Sequence, residues 1–348
     1  MGRFRSFRAP RILAGIAMLA SLSLTAAFAG APVASAASNP SSFKVGLVTD
    51  TGGLNDHGFN HLAYVGLEEA HQKLGVTVNV VQSQSQNDYV PNLSGYARQG
   101  YNMVIAVGFL MESAVKQVAA EYPNTKFMII DDSVSGKNVA SALFNTQQCG
   151  YLVGVLSGLV QKEKALPAIN SSNTLGVVGG QAIPPVTTYI AGFFAGVHSV
   201  DPTAKILLSY TNDFNNPNNG QSYAQAEIAK HADIVFQVAG GTGLGVITAA
   251  KQAHVYAIGV DANQGYLAPG TVITSALKGV DVATFDIIKA AFQNRFRAGT
   301  YYFSLGGGGV GIAPPMKGIP ASILSQVNKA KAGILSGKIV PPTTIPKQ

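Results

Sequence analysis

Asp50, Asp131 and Asp261 each end a short apolar run, and each is followed by a turn. The same pattern recurs along the chain. Lys44–Thr49 runs into Asp50, Thr51 and a turn over Asn55–Asn60. Met103–Val107 runs into Gly108-Phe109, and Lys126–Ile130 into Asp131-Asp132. Lys205–Ser209 leads to "YTNDFNNP", which contains Phe214. Ile234–Val238 leads to "AGGTGLG", Val255–Val260 to Asp261, Asn263 and Gln264, and Val272–Ser275 to Lys278. In open parallel sheets, ligands bind beyond the carboxyl ends of the strands. Carboxylates, amides, one ammonium and aromatic rings on that edge suit a polar small molecule with a flat part. Rings stack on the flat part, carboxylates accept from hydroxyls, and Lys or backbone N–H groups donate.

Each of these residues also has a plainer reading. An Asp at a strand end can cap the next helix, worth about 1 kcal/mol. Phe59, on the first turn of a helix, can be a hydrophobic staple. Lys278 can be a solvated charge. Phe214 is harder to place in a core, because Asn212, Asp213, Asn215, Asn216 and Pro217 surround it. In "AGGTGLG" the glycines Gly241, Gly243 and Gly245 alternate, and Val246 stands where a dinucleotide fingerprint needs its third glycine. The loop reads instead as backbone N–H groups at a helix start, facing a ligand oxygen. His57 and His61 are four residues apart beside Asp56, with no clear third metal ligand. No serine-nucleophile, zinc-protease or phosphate-loop motif is present. No metal and no cofactor is therefore expected.

The elements that must position these groups alternate regularly. Helical patterns at Gly58–Leu74, Met111–Tyr122, Tyr151–Lys162, Thr187–Val200, Gly220–Lys230, Gly243–Gln252 and Val282–Arg297 separate the apolar runs, which also include Thr77–Val81 and Leu175–Val178. Continuous apolar strands between helices predict α/β architecture with parallel sheets covered on both faces. About nine strands exceed one comfortable sheet, so two Rossmann-like lobes are expected. Leu166–Thr174 is polar and contains a proline, which predicts a loop.

The start of the chain carries an address. Arg3, Arg5, Arg8 and Arg11 precede an apolar stretch from Ile12 to Ala29, and Ala34-Ser35-Ala36 has the small-x-small form of a cleavage site. Residues 1–36 are expected to be an export signal, placing the processed chain in the periplasm or at the cell surface. Its four arginines account for much of the +7 net charge and leave about +3, so the basic balance gives no indication of nucleic acid. Cys149 is the single cysteine, which excludes an intrachain disulfide framework and leaves no cysteine to take a lipid at the cleavage point.

Several segments together resemble the basic membrane protein family of ABC-importer substrate-binding proteins, which includes purine-nucleoside receptors. They are "VGLVTDTGGLNDHGFN", "VGFLMESAVKQVAAEYPNTKFMIID", "NVASALFNTQQCGYLVGVLSG", "GVVGGQAIPPVTTYIAGFFAGV", "AGGTGLGVITAAKQ" and "IGVDANQGYLAPGTVITSALKGVD". The resemblance covers Phe43 to Val340. It implies a type I periplasmic-binding fold, with two lobes joined by three crossovers: residues 43–145 plus 268–298, and residues 146–267 plus 299–340. It also implies roles. Phe59 and Phe214 would sandwich a base. Asp50 and Asp131 would accept from base or ribose. Asn60, the Gly241–Gly243 loop and Asp261 would complete the grip, and Lys278 would donate to ribose hydroxyls. Gly108-Phe109 and Gln264 match motifs that can be structural. The implied partners are a nucleoside and a membrane permease, with no enzymatic activity and a monomeric state. The same fold binding a sugar or other polar metabolite, or an exported nucleoside hydrolase, are the alternatives. The chain departs from the family at Asp56-His57-Gly58-Phe59-Asn60, where Asp-Lys-Ser-Phe-Asn is common, and at Ser113, where the family carries an acid.

Overall fold

The computed structural model describes residues 42–346. The expected export signal lies outside the described residues. The strands are β1 (Lys44–Thr49), β2 (Thr77–Gln82), β3 (Met103–Val107), β4 (Lys126–Ile130), β5 (Val139–Phe144), β6 (Thr174–Gly179), β7 (Lys205–Tyr210), β8 (Ile234–Val238), β9 (Tyr256–Asp261), β10 (Val272–Lys278), β11 (Gly299–Phe303) and β12 (Val310–Ile312). The helices are α1 (Phe59–Leu74), α2 (Tyr89–Arg98), α3 (Glu112–Glu121), α4 (Thr146–Lys162), α5 (Pro184–Val200), α6 (Pro217–Ile228), α7 (Gly243–Gln252), α8 (Val280–Phe292) and α9 (Ala321–Leu335).

The strands form two sheets, ordered β11-β5-β4-β3-β1-β2 and β12-β10-β9-β8-β6-β7. Counted within each half, the first five strands run 2-1-3-4-5. The order reverses between β1 and β3 in one half and between β6 and β8 in the other, which are the points where such sheets leave a crevice. β1, β3 and β4 are almost wholly buried, as strands covered on both faces must be. The edge strand β2 alternates between exposed and half-buried positions.

The chain passes between the halves three times, at Asn145, Gly279 and Ser304. These crossings lie together: Asn145 N–H donates to Phe303 O at 2.9 Å, and the Phe144 and Phe303 rings stack at 5.1 Å. The last two crossings differ from the expected boundaries. β10 was expected in the first half and pairs with β9 in the second, whereas β11 was expected in the second and pairs with β5 in the first. An apolar run shows that a strand exists. It does not show which strand it will pair with, and β11 finds its partner β5 across more than 150 residues.

Two helix pairs set the geometry. α4 and α5 approach backbone to backbone, since a Cβ on Gly196 would lie 2.1 Å from Tyr151 O and one on Gly192 2.2 Å from Gln147 O. α8 returns to the first half and packs on α1, where a Cβ on Gly66 would lie 2.3 Å from Asp281 O. Among the described residues, no helix is long and apolar enough to cross a membrane.

Candidate functional site

The strand ends of the two halves face each other across a cleft with a cavity of about 60 Å³. From the first half, Asp50, Phe59, Asn60, Gly108, Phe109 and Asp131 line it. From the second come Tyr189, Phe214, Gly240, Asp261 and Lys278.

Asp50 follows β1 and folds back on the next turn. Its Oδ1 accepts from Gly52 N–H and from Asn60 Nδ2, both at 2.8 Å. Asn60 completes the pair by accepting from Asp50 N–H at 3.2 Å. Burial pushes the Asp50 carboxyl up to about 6, against the opposing effect of these bonds. Asp56 caps α1, accepting from the N–H groups of Gly58, Asn60 and His61. With the start of α1 satisfied this way, Asp50 is free to face the cleft.

Asp131 and Asp261 adopt left-handed backbone, with φ of 74° and 61°. Non-glycine residues sit there at some cost, a form of strain that clusters at functional sites. Neither precedes an α-helix, so the helix-cap reading does not hold for them. Asp261 Oδ1 accepts from Tyr189 OH at 2.9 Å, and burial pushes its carboxyl up to about 6. Asp131 pairs with the Lys278 ammonium across the cleft. Burial raises the Asp131 carboxyl and the ammonium opposes that rise.

Lys278 is the last residue of β10, just before the Gly279 crossing. It is buried, not a solvated charge. Its Nζ lies 4.6 Å from the Phe59 ring centroid, 5.1 Å from that of Phe144 and 6.0 Å from that of Tyr189. Aromatic faces attract such a cation, and the neighbouring carboxylates compensate its burial.

Phe214 stands in the loop between β7 and α6. Its ring covers Gly180, where a Cβ would lie 2.2 Å from Cε1. Its carbonyl accepts from Thr242 N–H at 3.1 Å, which ties the loop to the glycine-rich turn. That turn presents Gly240, with φ of 55°, to the cavity. Gly241 and Gly243 are not in the wall. Gly241 packs on the Phe214 carbonyl, and Gly243 on Gln237, whose Oε1 would lie 1.8 Å from a Cβ there.

Seven of the nine singled-out residues therefore converge: Asp50, Phe59, Asn60, Asp131, Phe214, Asp261 and Lys278. Sequence reading missed Tyr189, which lies inside a strongly apolar helix and carries no local signal. It also assigned too much to the glycines, because alternating glycines cannot show which backbone faces the cleft. Gln264 supports the site from behind. Its Oε1 accepts from Gln237 Nε2 at 2.7 Å and Val260 N–H at 3.1 Å, and its Nε2 donates to His57 O at 3.2 Å. His57 Nδ1 lies 2.9 Å from Tyr266 OH. Cys149 is buried in α4, and burial pushes its thiol up to about 12, away from nucleophilic chemistry. The cleft thus offers two rings, one from each half, a buried ammonium and carboxylates able to accept from hydroxyl or N–H groups.

Residues 43–348 match the family model described as Bmp, ABC transporter substrate-binding protein PnrA-like. The chain is 33% identical over 323 residues to the "CD4+ T-cell-stimulating antigen" of Listeria monocytogenes, covering 86% of this chain and 88% of that one. It is 31% identical to the "ABC transporter nucleoside-binding protein BmpA" of Lactococcus lactis, covering 86% and 89%. A solved ABC transporter solute-binding protein from Aeropyrum pernix superimposes with a TM-score of 0.80 at 29% identity, covering 86% and 94%. ABC substrate-binding proteins are extracytoplasmic and deliver their ligand to a permease. Two doubly wound sheets joined by three crossings, a cleft lined from both and a family match over the whole described region lead to one assignment: this chain belongs to the Bmp family of PnrA-like ABC transporter substrate-binding proteins.

Proposed function

We propose that the protein binds a nucleoside, a purine nucleoside by preference, in the cleft between its halves and hands it to a membrane permease. The observation that carries this reading is the pairing of two rings from opposite halves, Phe59 and Phe214, with Asp50, Asn60, Asp131, Asp261 and Lys278 around one cavity. A base is a flat π-system that rings can hold from both sides. A ribose presents hydroxyls that carboxylates accept from and an ammonium donates to. Because the contacts come from both halves, ligand favours the closed arrangement over an open one. The name of the Lactococcus lactis relative agrees with this ligand class.

The test is calorimetric titration of the protein, unfolded and refolded to strip carried-over ligand. The panel is purine and pyrimidine nucleosides, free bases and sugars. Saturable one-to-one binding, strongest for a purine nucleoside, is expected. Binding of a sugar with silence toward every nucleoside would discard the ligand class.

A further inference from the structure

A second groove, distinct from the ligand cavity, borders His57. It lies between α7 and the turn after β9 and encloses about 620 Å³. Leu244, Ile247, Leu267 and Ala268 form its apolar part. Lys251, His254 and His57 supply basic groups, and no carboxylate lines it. Lys251 makes no ion pair among the described residues. Every lining residue belongs to the second half except His57, which the first half contributes. His57 is held there by two cross-cleft contacts, to Tyr266 OH and from Gln264 Nε2. The groove is therefore complete only when the halves are together. Tyr266, 62% exposed, stands beside it as a ring without a core to join.

We propose that this groove docks an acidic segment of the membrane permease, one carrying a carboxylate beside an aliphatic side chain, and that it reports closure to that partner. The aliphatic group fits the apolar part and the carboxylate meets Lys251, with the two imidazoles as further donors. Lys251, His254 and Thr248 are exposed, so a small molecule would leave much of its surface in water, whereas a protein segment covers both floor and rim. A segment in the groove touches His57 and α7 together. It thus binds the closed arrangement more tightly and distinguishes loaded from empty protein. The inference rests on the delivery part of the proposed function and is independent of which ligand is carried.

The experiment is photo-cross-linking in intact cells that make the full chain. A benzophenone amino acid is placed singly at Thr248, in the groove, and at the exposed rim positions Gln84 and Asn215. From Thr248, the expected adduct is with an ABC-transporter membrane subunit, through a peptide containing Asp or Glu. The combined changes Lys251→Glu and His254→Glu should reduce it about tenfold or more, since like charges then face each other. Unaltered melting of that variant shows that the fold is intact. Transporter adducts from Gln84 or Asn215 but none from Thr248 overturn the groove and leave delivery standing. No transporter adduct from any position overturns both. An adduct from Thr248 that charge reversal leaves unchanged, or one only with a second copy of this chain, overturns the acidic permease partner.

Discussion

Lys278 and Asp131 come from different sheets and meet as a buried ion pair, with side chains only 2% and 8% exposed. Lys278 is also the residue before a crossing between the halves. The pair thus joins ligand wall, interlobe contact and hinge.

Removing one partner leaves a buried charge uncompensated. Breaking such pairs costs about 3–5 kcal/mol. Lys278→Met should therefore destabilise the protein by about 3 kcal/mol at pH 7. The loss should be smaller at pH 5 than at pH 7, because burial raises the Asp131 carboxyl and, without the opposing ammonium, increasingly favours its neutral form as the pH falls. Urea unfolding at both pH values measures this. Equal losses at the two would show that the charge left behind is not the cause.

Stability should fall as pH rises from about 4 to about 8. Asp50 and Asp261 have folded values of about 6, raised from 3.8, and Glu227 about 8, raised from 4.5. Between the unfolded and folded values the folded state binds more protons, so raising the pH favours unfolding. Glu227 lies on the buried face of α6 and accepts from Ser209 Oγ at 2.6 Å. Glu227→Gln should remove the Glu227 share of the fall from about 4.5 to about 8, flattening the stretch between 6 and 8 and leaving only the aspartate share below 6. Melting temperatures across this range, for both proteins, decide the matter.

The rings should carry much of the ligand affinity. Stacking is worth about 1–3 kcal/mol per base, so Phe214→Ala and Phe59→Ala should each weaken nucleoside binding about tenfold to a hundredfold. Gly180→Ala should weaken it as well, because the added Cβ meets the Phe214 ring at 2.2 Å and displaces it. Titration calorimetry reads all three. If the ring variants bind a nucleoside as well as the unaltered protein, the sandwich is wrong.

Ligand affinity should rise with pH through about 6. A carboxylate accepts from ribose hydroxyls best when ionised, and ligand bonds to Asp50 and Asp261 would favour that form. Dissociation constants at pH 5 and pH 7.5 test the sign. Tighter binding at the lower pH would assign those carboxyls a donor role.

The α4–α5 contact should tolerate no added methyl. At Gly196 a Cβ meets the Tyr151 carbonyl, which is backbone and cannot swing aside. Gly196→Ala should cost about 1–3 kcal/mol, with ligand binding retained by the folded fraction. Chemical unfolding measures the cost, and a neutral effect would mean that the helices separate easily.

Much of this architecture was legible in the sequence because it is local. Buried parallel strands are short continuous apolar runs, and β1, β3, β4 and β8 have the bounds that those runs set. Strand-end residues must lie on one edge of a parallel sheet, so Asp50, Asp131, Asp261 and Lys278 could be grouped before any coordinates. Other features depended on neighbours. β5 reads "VASALF", a run diluted by alanine and serine, and it is a strand because β4 and β11 flank it. The sheet that β10 joins, the left-handed backbone of Asp131 and Asp261, and the choice of Gly240 over Gly241 and Gly243 at the cavity were decided only by the tertiary structure. The physical reason is range. Periodicity and turn chemistry act over a few residues, whereas the β11–β5 pairing, the buried charge pair Lys278–Asp131 and the facing of one lobe by the other are set by contacts more than a hundred residues apart.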